Sequence, residues 1–327
     1  MVYIKSLNKN IFPLYIKPLE DELFSSWFCR LSINHGIKPQ SFILNYLENY
    51  PILARDIDFF APSRLISFFE QHTPLSQKDI MNLFLKRYAG ITYETEQGYN
   101  NILRLGIIHR KRKRYGLMVC PSCLTRSDYY KCGCRLQSSI LCTICKRYLE
   151  DRCPKCKSPI MFHRVNIDTN SSIMHFKPLY LCSECKYDLR ETPLVSHPTE
   201  KDLRYQRYIN ETINNGHNDC CMYSFSYLKV LVMLAQKIRS QRGKNRFRDI
   251  IIYYYPLLKD LGSGNEKSEI YYWDVNERRR ILPFSFYLLQ DKVLLNKLMI
   301  EGNVHKSYLD PENQFPYWFI KRFLGSE

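Results

Sequence analysis

Four Cys-x-x-Cys pairs follow one another in the middle of this chain: Cys120/Cys123, Cys142/Cys145, Cys153/Cys156 and Cys182/Cys185. A two-residue gap turns both sulfurs toward one point, and two such pairs complete a tetrahedral thiolate shell around zinc. The spacing therefore predicts two structural Zn2+ ions. Redox dithiols fit less well, because a thioredoxin-like motif would occur once, near a βαβ pattern, rather than as successive knuckles. Closed thiolate shells contribute folding rather than chemistry. Metal binding to zinc-finger peptides is worth roughly 10–16 kcal/mol, comparable with the stability of a whole domain. Catalytic zinc would need an open position, and both shells read as closed.

Two pairings are compatible with these ligands. In the sequential one, Cys120, Cys123, Cys142 and Cys145 hold one ion and Cys153, Cys156, Cys182 and Cys185 the other, so that each knuckle closes its own loop. This is the arrangement we expect. An interleaved cross-brace would join the first pair to the third and the second to the fourth. Cys132 and Cys134 could compete as ligands but lack the two-residue gap and read as small packing thiols, as do Cys29, Cys220 and Cys221. His163 and His175 flank the third and fourth knuckles and would matter only if a thiolate were missing.

The residues around the knuckles carry a resemblance. The run from Gly106 through His109-Arg110-Lys111-Arg112-Lys113-Arg114 to Gly116-Leu117, followed by Val119-Cys120-Pro121-Ser122-Cys123-Leu124, resembles the entry to the zinc region of the TniQ/TnsD family of transposon targeting proteins. The likeness continues through Tyr129-Tyr130, Arg135-Leu136, Cys142 and Asp151-Arg152-Cys153-Pro154-Lys155-Cys156. Near the start, Phe12-Pro13-Leu14, Lys17-Pro18, Asp21-Glu22-Leu23, Ser25-Ser26-Trp27, Arg30-Leu31 and His35-Gly36 are similar to the family's opening. Together these cover about the first two thirds of the chain. The family usually has a tryptophan where this chain has Cys134, and a histidine where it has Cys145. Cysteine for histidine keeps a zinc ligand; cysteine for tryptophan removes a large packing residue.

The expected architecture is mainly α: an N-terminal helix-turn-helix-like helical module over residues 1–105, a basic strap and tandem zinc-knuckle region over 106–198, and a C-terminal helical region over 199–327. In the first part, Asp21 reads as the cap of a helix bearing Leu23, Phe24, Trp27, Phe28 and Leu31, with Gly36 just past its end. Ser63 begins a short helix with Leu65, Ile66, Phe68 and Phe69, Thr73-Pro74 breaks it, and Ser76 with Asp79 starts another bearing Ile80, Leu83 and Phe84. Two short helices around a tight break give the helix-turn-helix-like form.

Net charge bounds the partners. At +16 the chain points toward nucleic acid or an acidic ribonucleoprotein. Arg110, Lys111, Arg112, Lys113 and Arg114 read as a phosphate-contacting strap. A second cluster, Lys237, Arg239, Arg242, Lys244, Arg246 and Arg248, follows a helix containing Leu228, Leu231, Val232, Leu234 and Ile238. The aromatic runs Tyr253-Tyr254-Tyr255, Tyr271-Tyr272-Trp273 and Phe315-Pro316-Tyr317-Trp318-Phe319 fit core packing better than base stacking. Gly262-Ser263-Gly264-Asn265 reads as a turn, not a phosphate loop. Thirteen cysteines, an odd number, clustered thiol pairs and the lack of a secretory segment point to a reducing cytoplasm, and the family resemblance implies a bacterial one. No apolar run is long enough to span a bilayer.

No nucleophile elbow, phosphate loop or zinc-hydrolase motif is visible, so the expectation is a non-enzyme. The resemblance implies a target-selection adaptor in transposition, linking a DNA-targeting complex, often a CRISPR RNA-guided effector complex, to an AAA+ transposition regulator. It would bind DNA weakly and without sequence preference when alone; a homodimer is compatible with the sequence. The alternative is a TnsD-like protein that reads an attachment site directly. Length favours the adaptor and charge favours the direct reader. A generic zinc-containing transcription factor would leave the likeness unexplained.

Overall fold

The computed structural model describes residues 11–325 apart from 48–51, 54, 95–100, 109, 110, 113, 165–178, 241–245, 262–269 and 310–314. Among the described residues the chain is mainly helical, its regular strands confined to two short antiparallel ribbons. It divides into two compact units. Met1–Tyr88, Leu103–Leu136 and Leu149–Val195 form the first; Ala89–Ile102, Gln137–Tyr148 and Ser196–Glu327 form the second.

In the first unit, the apolar stripe that begins at Leu23 winds into α1 (Phe24–Asn34), which packs against α2 (Pro39–Tyr46) and α3 (Ile57–Phe60). Leu23, Phe24, Trp27, Phe28 and Leu31 are fully buried. Phe24 stacks on Phe84 with ring centroids 4.5 Å apart, and Trp27 meets Phe69 edge-on at 5.2 Å. Each such side chain contributes about 1.5–3 kcal/mol through burial. Gly36, at φ 72°, supplies the left-handed turn just past the end of α1. α4 (Ser63–His72) and α5 (Gln77–Met81) take the expected helix-break-helix form. The Ser76/Asp79 capping box starts α5, and Thr73 ends α4.

The expected cap by Asp21 is corrected. The N-cap of α1 is Leu23, which has no side-chain acceptor, and Asp58 of α3 supplies one instead. Its Oδ1 accepts the Ser25 N–H at 2.7 Å and its Oδ2 the Ser25 hydroxyl at 2.8 Å. A carboxylate is favoured there, because the first amides of a helix lack partners within it. Asp21 adopts φ 58° and turns its carboxylate to the Gly133 N–H at 3.0 Å.

That turn serves a join between segments far apart in sequence. The Leu23 N–H donates to the Tyr130 carbonyl at 2.9 Å, the Cys132 N–H donates to the Asp21 carbonyl at 2.7 Å, and Glu22 and Lys131 form an antiparallel bridge. The opening segment of the chain is thereby stitched to the segment following the first knuckle. The Cys132 thiol points at the carbonyls of Glu22 and Leu83, so it is a packing thiol of this join. Farther on, β1 (Ile107–Ile108) pairs with β2 (Lys111–Arg112). Gly116 then passes so close to Arg104 that a Cβ on it would lie 2.2 Å from that residue's carbonyl oxygen. Only glycine fits there.

The second unit holds a hairpin of β3 (Leu141–Cys142) and β4 (Arg147–Tyr148) against helices. In order along the chain, we label as α6 the short helix Pro121–Leu124 of the first unit. The second unit's helices are then α7 (Glu200–Asn215), α8 (Ser224–Arg239), α9 (Arg246–Tyr254), α10 (Val275–Gln290) and α11 (Lys292–Glu301). α10 packs on α7, α8 and α11, with Leu228, Leu231, Leu234 and Ile238 of α8 buried as their spacing predicts. Of the C-terminal aromatics, Trp273, Phe315 and Phe319 are core, whereas Tyr317 and, against the expectation of core packing, all of Tyr253, Tyr254 and Tyr255 are exposed. The Gly262–Asn265 turn lies outside the described residues.

Candidate metal centres

The knuckles are built by three local devices, and each sets two sulfurs on one side of a tight turn. Cys120 is the N-cap of α6 and Cys123 lies within it, with Pro121 at its first position, where the missing N–H costs nothing. The base of this excursion is closed by reciprocal hydrogen bonds between Val119 and Glu150, both 2.8 Å. Cys142 and Cys145 lie on the β3–β4 hairpin. Within the second unit, Gln206 Oε1 on α7 accepts the Ile140 N–H at 2.8 Å, and the Tyr148 hydroxyl donates to Asp202 at 2.7 Å. Arg278 on α10, fully buried, donates to the carbonyls of Gln137 and Ser139 at 3.0 and 3.2 Å.

The third and fourth knuckles repeat one geometry. Cys153 N–H donates to the Ser158 carbonyl and Lys157 N–H to the Cys153 carbonyl, both at 2.9 Å. Cys182 and Lys186 do the same with Tyr187 and Cys182, at 2.8 and 3.0 Å. In three of the four knuckles the residue after the second cysteine has positive φ: Lys146 at 47°, Lys157 at 61° and Lys186 at 59°. Glycine is the usual occupant of such a position. The repeated Cys-x-x-Cys-Lys is plain in the sequence, but its meaning as a turn was not read from it.

These turns gather the ligands into two groups. Cys120, Cys123, Cys142 and Cys145 have sulfurs all within 4.8 Å of one another, and so do Cys153, Cys156, Cys182 and Cys185. The grouping is the sequential one, not the cross-brace. In the second group, Cys153 and Cys185 sulfurs are 3.6 Å apart, as are those of Cys156 and Cys182. Zn–S bonds of about 2.3 Å in a tetrahedron require sulfurs about 3.8 Å apart, so the donor set fits a closed zinc shell. A disulfide would need about 2.05 Å, and none of the thirteen cysteines is in one. Outer partners are in place too. Arg126 donates to Cys123 Sγ at 3.6 Å, and the Ser158 hydroxyl lies 3.0 Å from Cys156 Sγ and 3.4 Å from Cys182 Sγ. Such contacts orient ligands and offset the negative charge of four thiolates around a divalent ion. Sequence reasoning missed both residues, since neither lies within a Cys-x-x-Cys motif.

The remaining candidate ligands stay apart. Cys134 belongs to neither group, and neither does His163, which is buried and held well below its usual pKa by desolvation and by Arg112, so that it is neutral. His175 lies outside the described residues.

The basic strap is only partly surface. Arg110 and Lys113 lie outside the described residues, Lys111 lies on β2, and Arg114 is half-buried, its backbone N–H bonded to the Leu105 carbonyl at 3.3 Å. Arg112 is buried, donates to the Ile160 carbonyl and sits 5.7 Å from the Phe162 ring centroid. Burial, with Arg135 nearby, pulls its pKa down to about 10. The phosphate contact expected of Arg112 does not fit this placement. The second basic cluster is partly turned inward: Arg248 donates to the carbonyls of Ile238, Arg239, Lys259 and Leu261, and Arg239 pairs with Glu277 at 3.1 Å, whereas Arg246 is exposed. Arg242 and Lys244 lie outside the described residues. Among the described residues, no helix is long and apolar enough to cross a membrane.

No curated protein matches this chain. The TniQ family model matches residues 13–147, a span that takes in the N-terminal join, the basic strap and the first thiolate group and stops short of the second. The match identifies residues 13–147 as a TniQ domain, the domain of a family of transposon targeting proteins.

Proposed function

We propose that this protein is a target-selection adaptor for a bacterial DNA transposition system, one that carries two structural zinc ions and acts in the cytoplasm. One surface engages a DNA-targeting component, such as a CRISPR RNA-guided complex, and another recruits an AAA+ transposition regulator. The observation that carries this reading is the TniQ match over residues 13–147. A TnsD-like direct reader remains the second reading, because the net charge of +16 suits DNA. Against it, Arg112, Arg239 and Arg248 spend their guanidinium groups on carbonyls, a carboxylate and a ring inside the protein. Phosphate contacts raise affinity only for cations that reach the backbone.

In this role the zinc ions are structural. When bound, each would crosslink its two knuckles; the chain's own residues set the thiolates in place and supply outer hydrogen bonds. The test is co-assembly. The purified protein, mixed with the AAA+ regulator and the targeting complex encoded beside it, should form a complex with each on size-exclusion chromatography. Failure to bind either partner, in protein with its full zinc content, would contradict the adaptor.

A further inference from the structure

The two thiolate groups differ in how they meet solvent. Of all thirteen cysteines, Cys156 alone is exposed. Its shell partners Cys153 and Cys182 are buried and Cys185 is half-buried, while in the first group Cys120 is buried and the other three are half-buried. Cys156 also has a second thiol at hand, Cys182 Sγ at 3.6 Å, with the Ser158 hydroxyl touching both sulfurs. The first group's outer donor is instead a guanidinium, that of Arg126, directed at Cys123. A thiolate is both the metal ligand and the nucleophile, so the site that presents one to solvent is the one open to thiol chemistry.

We propose that Cys156 is a modification site, at which hydrogen peroxide reacts before it reacts at any other cysteine of the chain, opening the second zinc shell while leaving the first closed. This rests on the reading that both groups hold zinc. The steps balance. The Cys156 thiolate attacks one peroxide oxygen, the O–O bond breaks, hydroxide leaves and a sulfenic acid forms. The Cys182 thiolate then attacks the Cys156 sulfur, the S–O bond breaks, a second hydroxide leaves and the Cys156–Cys182 disulfide forms. Two thiolates have lost two electrons in total, and one peroxide has taken them up. Cys153 and Cys185 remain, two ligands short of a closed tetrahedral shell, and the ion departs.

The experiment uses the full chain, purified under reducing conditions and assayed for zinc by elemental analysis. Hydrogen peroxide is then titrated in, released zinc is followed with a chromogenic chelator, and cysteine states are mapped by peptide mass spectrometry. The expected result is a first phase that releases one of two ions, with Cys156 joined to Cys182 and Cys120, Cys123, Cys142 and Cys145 unmodified; dithiothreitol with added zinc should reverse it. Simultaneous loss of both ions, or first modification at any cysteine other than Cys156, would overturn the inference while leaving the two-zinc reading intact. Protein that starts without zinc would overturn both, and does so before oxidant is added.

Discussion

Arg135 is fully buried, donates from Nη2 to the Leu103 carbonyl at 2.8 Å and forms a two-pronged pair with Asp56 at 3.1 and 2.6 Å. Asp58, the trans cap of α1, lies 3.6 Å from the same guanidinium. One cation therefore compensates the carboxylate that holds the first helix. Arg135→Ala should cost about 3–5 kcal/mol, because it leaves buried charge without a partner; chemical denaturation would measure it, and a loss below about 1 kcal/mol would contradict this role. A half-buried carboxylate, Asp128, carries a pH dependence. Burial raises Asp128 to about 7, against the lowering effects of the Leu179 N–H, Arg190 and Arg30, while Asp188 raises it further. Its Oδ1 has no partner among the described residues. The folded state holds the proton more tightly than the unfolded chain, whose carboxyl titrates near about 3.9. Stability from this group is thus complete below that value and is lost as pH rises through about 7. Asp128→Asn should match the parent near pH 4 and exceed it by up to about 4 kcal/mol at pH 8; thermal melts across that range would show it. At this scale the sequence was legible where chemistry is local. Cys-x-x-Cys spacing announces a ligand pair by itself, whereas nothing local marks Arg112, Arg135, Arg248 and Arg278 as buried, since the carbonyls and carboxylates that hold them come from other segments.

Elements show the same division. The stripes of α1 and α8 and the Ser76/Asp79 box lie within single helices, and the structure follows them. The expected Asp21 cap failed because its replacement, Asp58, is more than thirty positions along the chain and arrives only through packing of α3 on α1. The knuckles show why sequential pairing wins: each is a short turn closed by its own backbone bonds, and Arg152–Pro159 and Leu181–Asp188 bridges bring the flanks of the last two together. The two thiolate groups share no ligand. Cys145→Ser should accordingly release about one zinc ion and leave the other bound, since four thiolates make one closed shell. Elemental analysis beside the parent protein decides it, and loss of both ions would mean that the shells fold as one.

On the scale of the whole molecule, the chain alternates between two compact units, with 89–102 and 137–148 in one and the residues that flank them in the other. Hydrophobic periodicity does not report such excursions, which are fixed by single long-range bonds such as those from Tyr205 and Gln206 to the 138–141 segment. Net charge was legible but its use was not. Among the described residues five arginines are buried, so the formal +16 overstates the cationic surface that phosphates can reach. An adaptor should therefore bind DNA weakly, without sequence preference, and lose that binding steeply as salt rises. Changing Arg110, Lys111, Lys113 and Arg114 to Gln should lower the remaining affinity about equally for all sequences. The measurement that bears most directly on the adaptor reading is binding of the purified protein, alone, to its element's natural insertion locus and to scrambled DNA across a salt series: equal, weak and salt-sensitive binding is the predicted result, and a preference for the natural locus of about a thousandfold or more at physiological salt would contradict it.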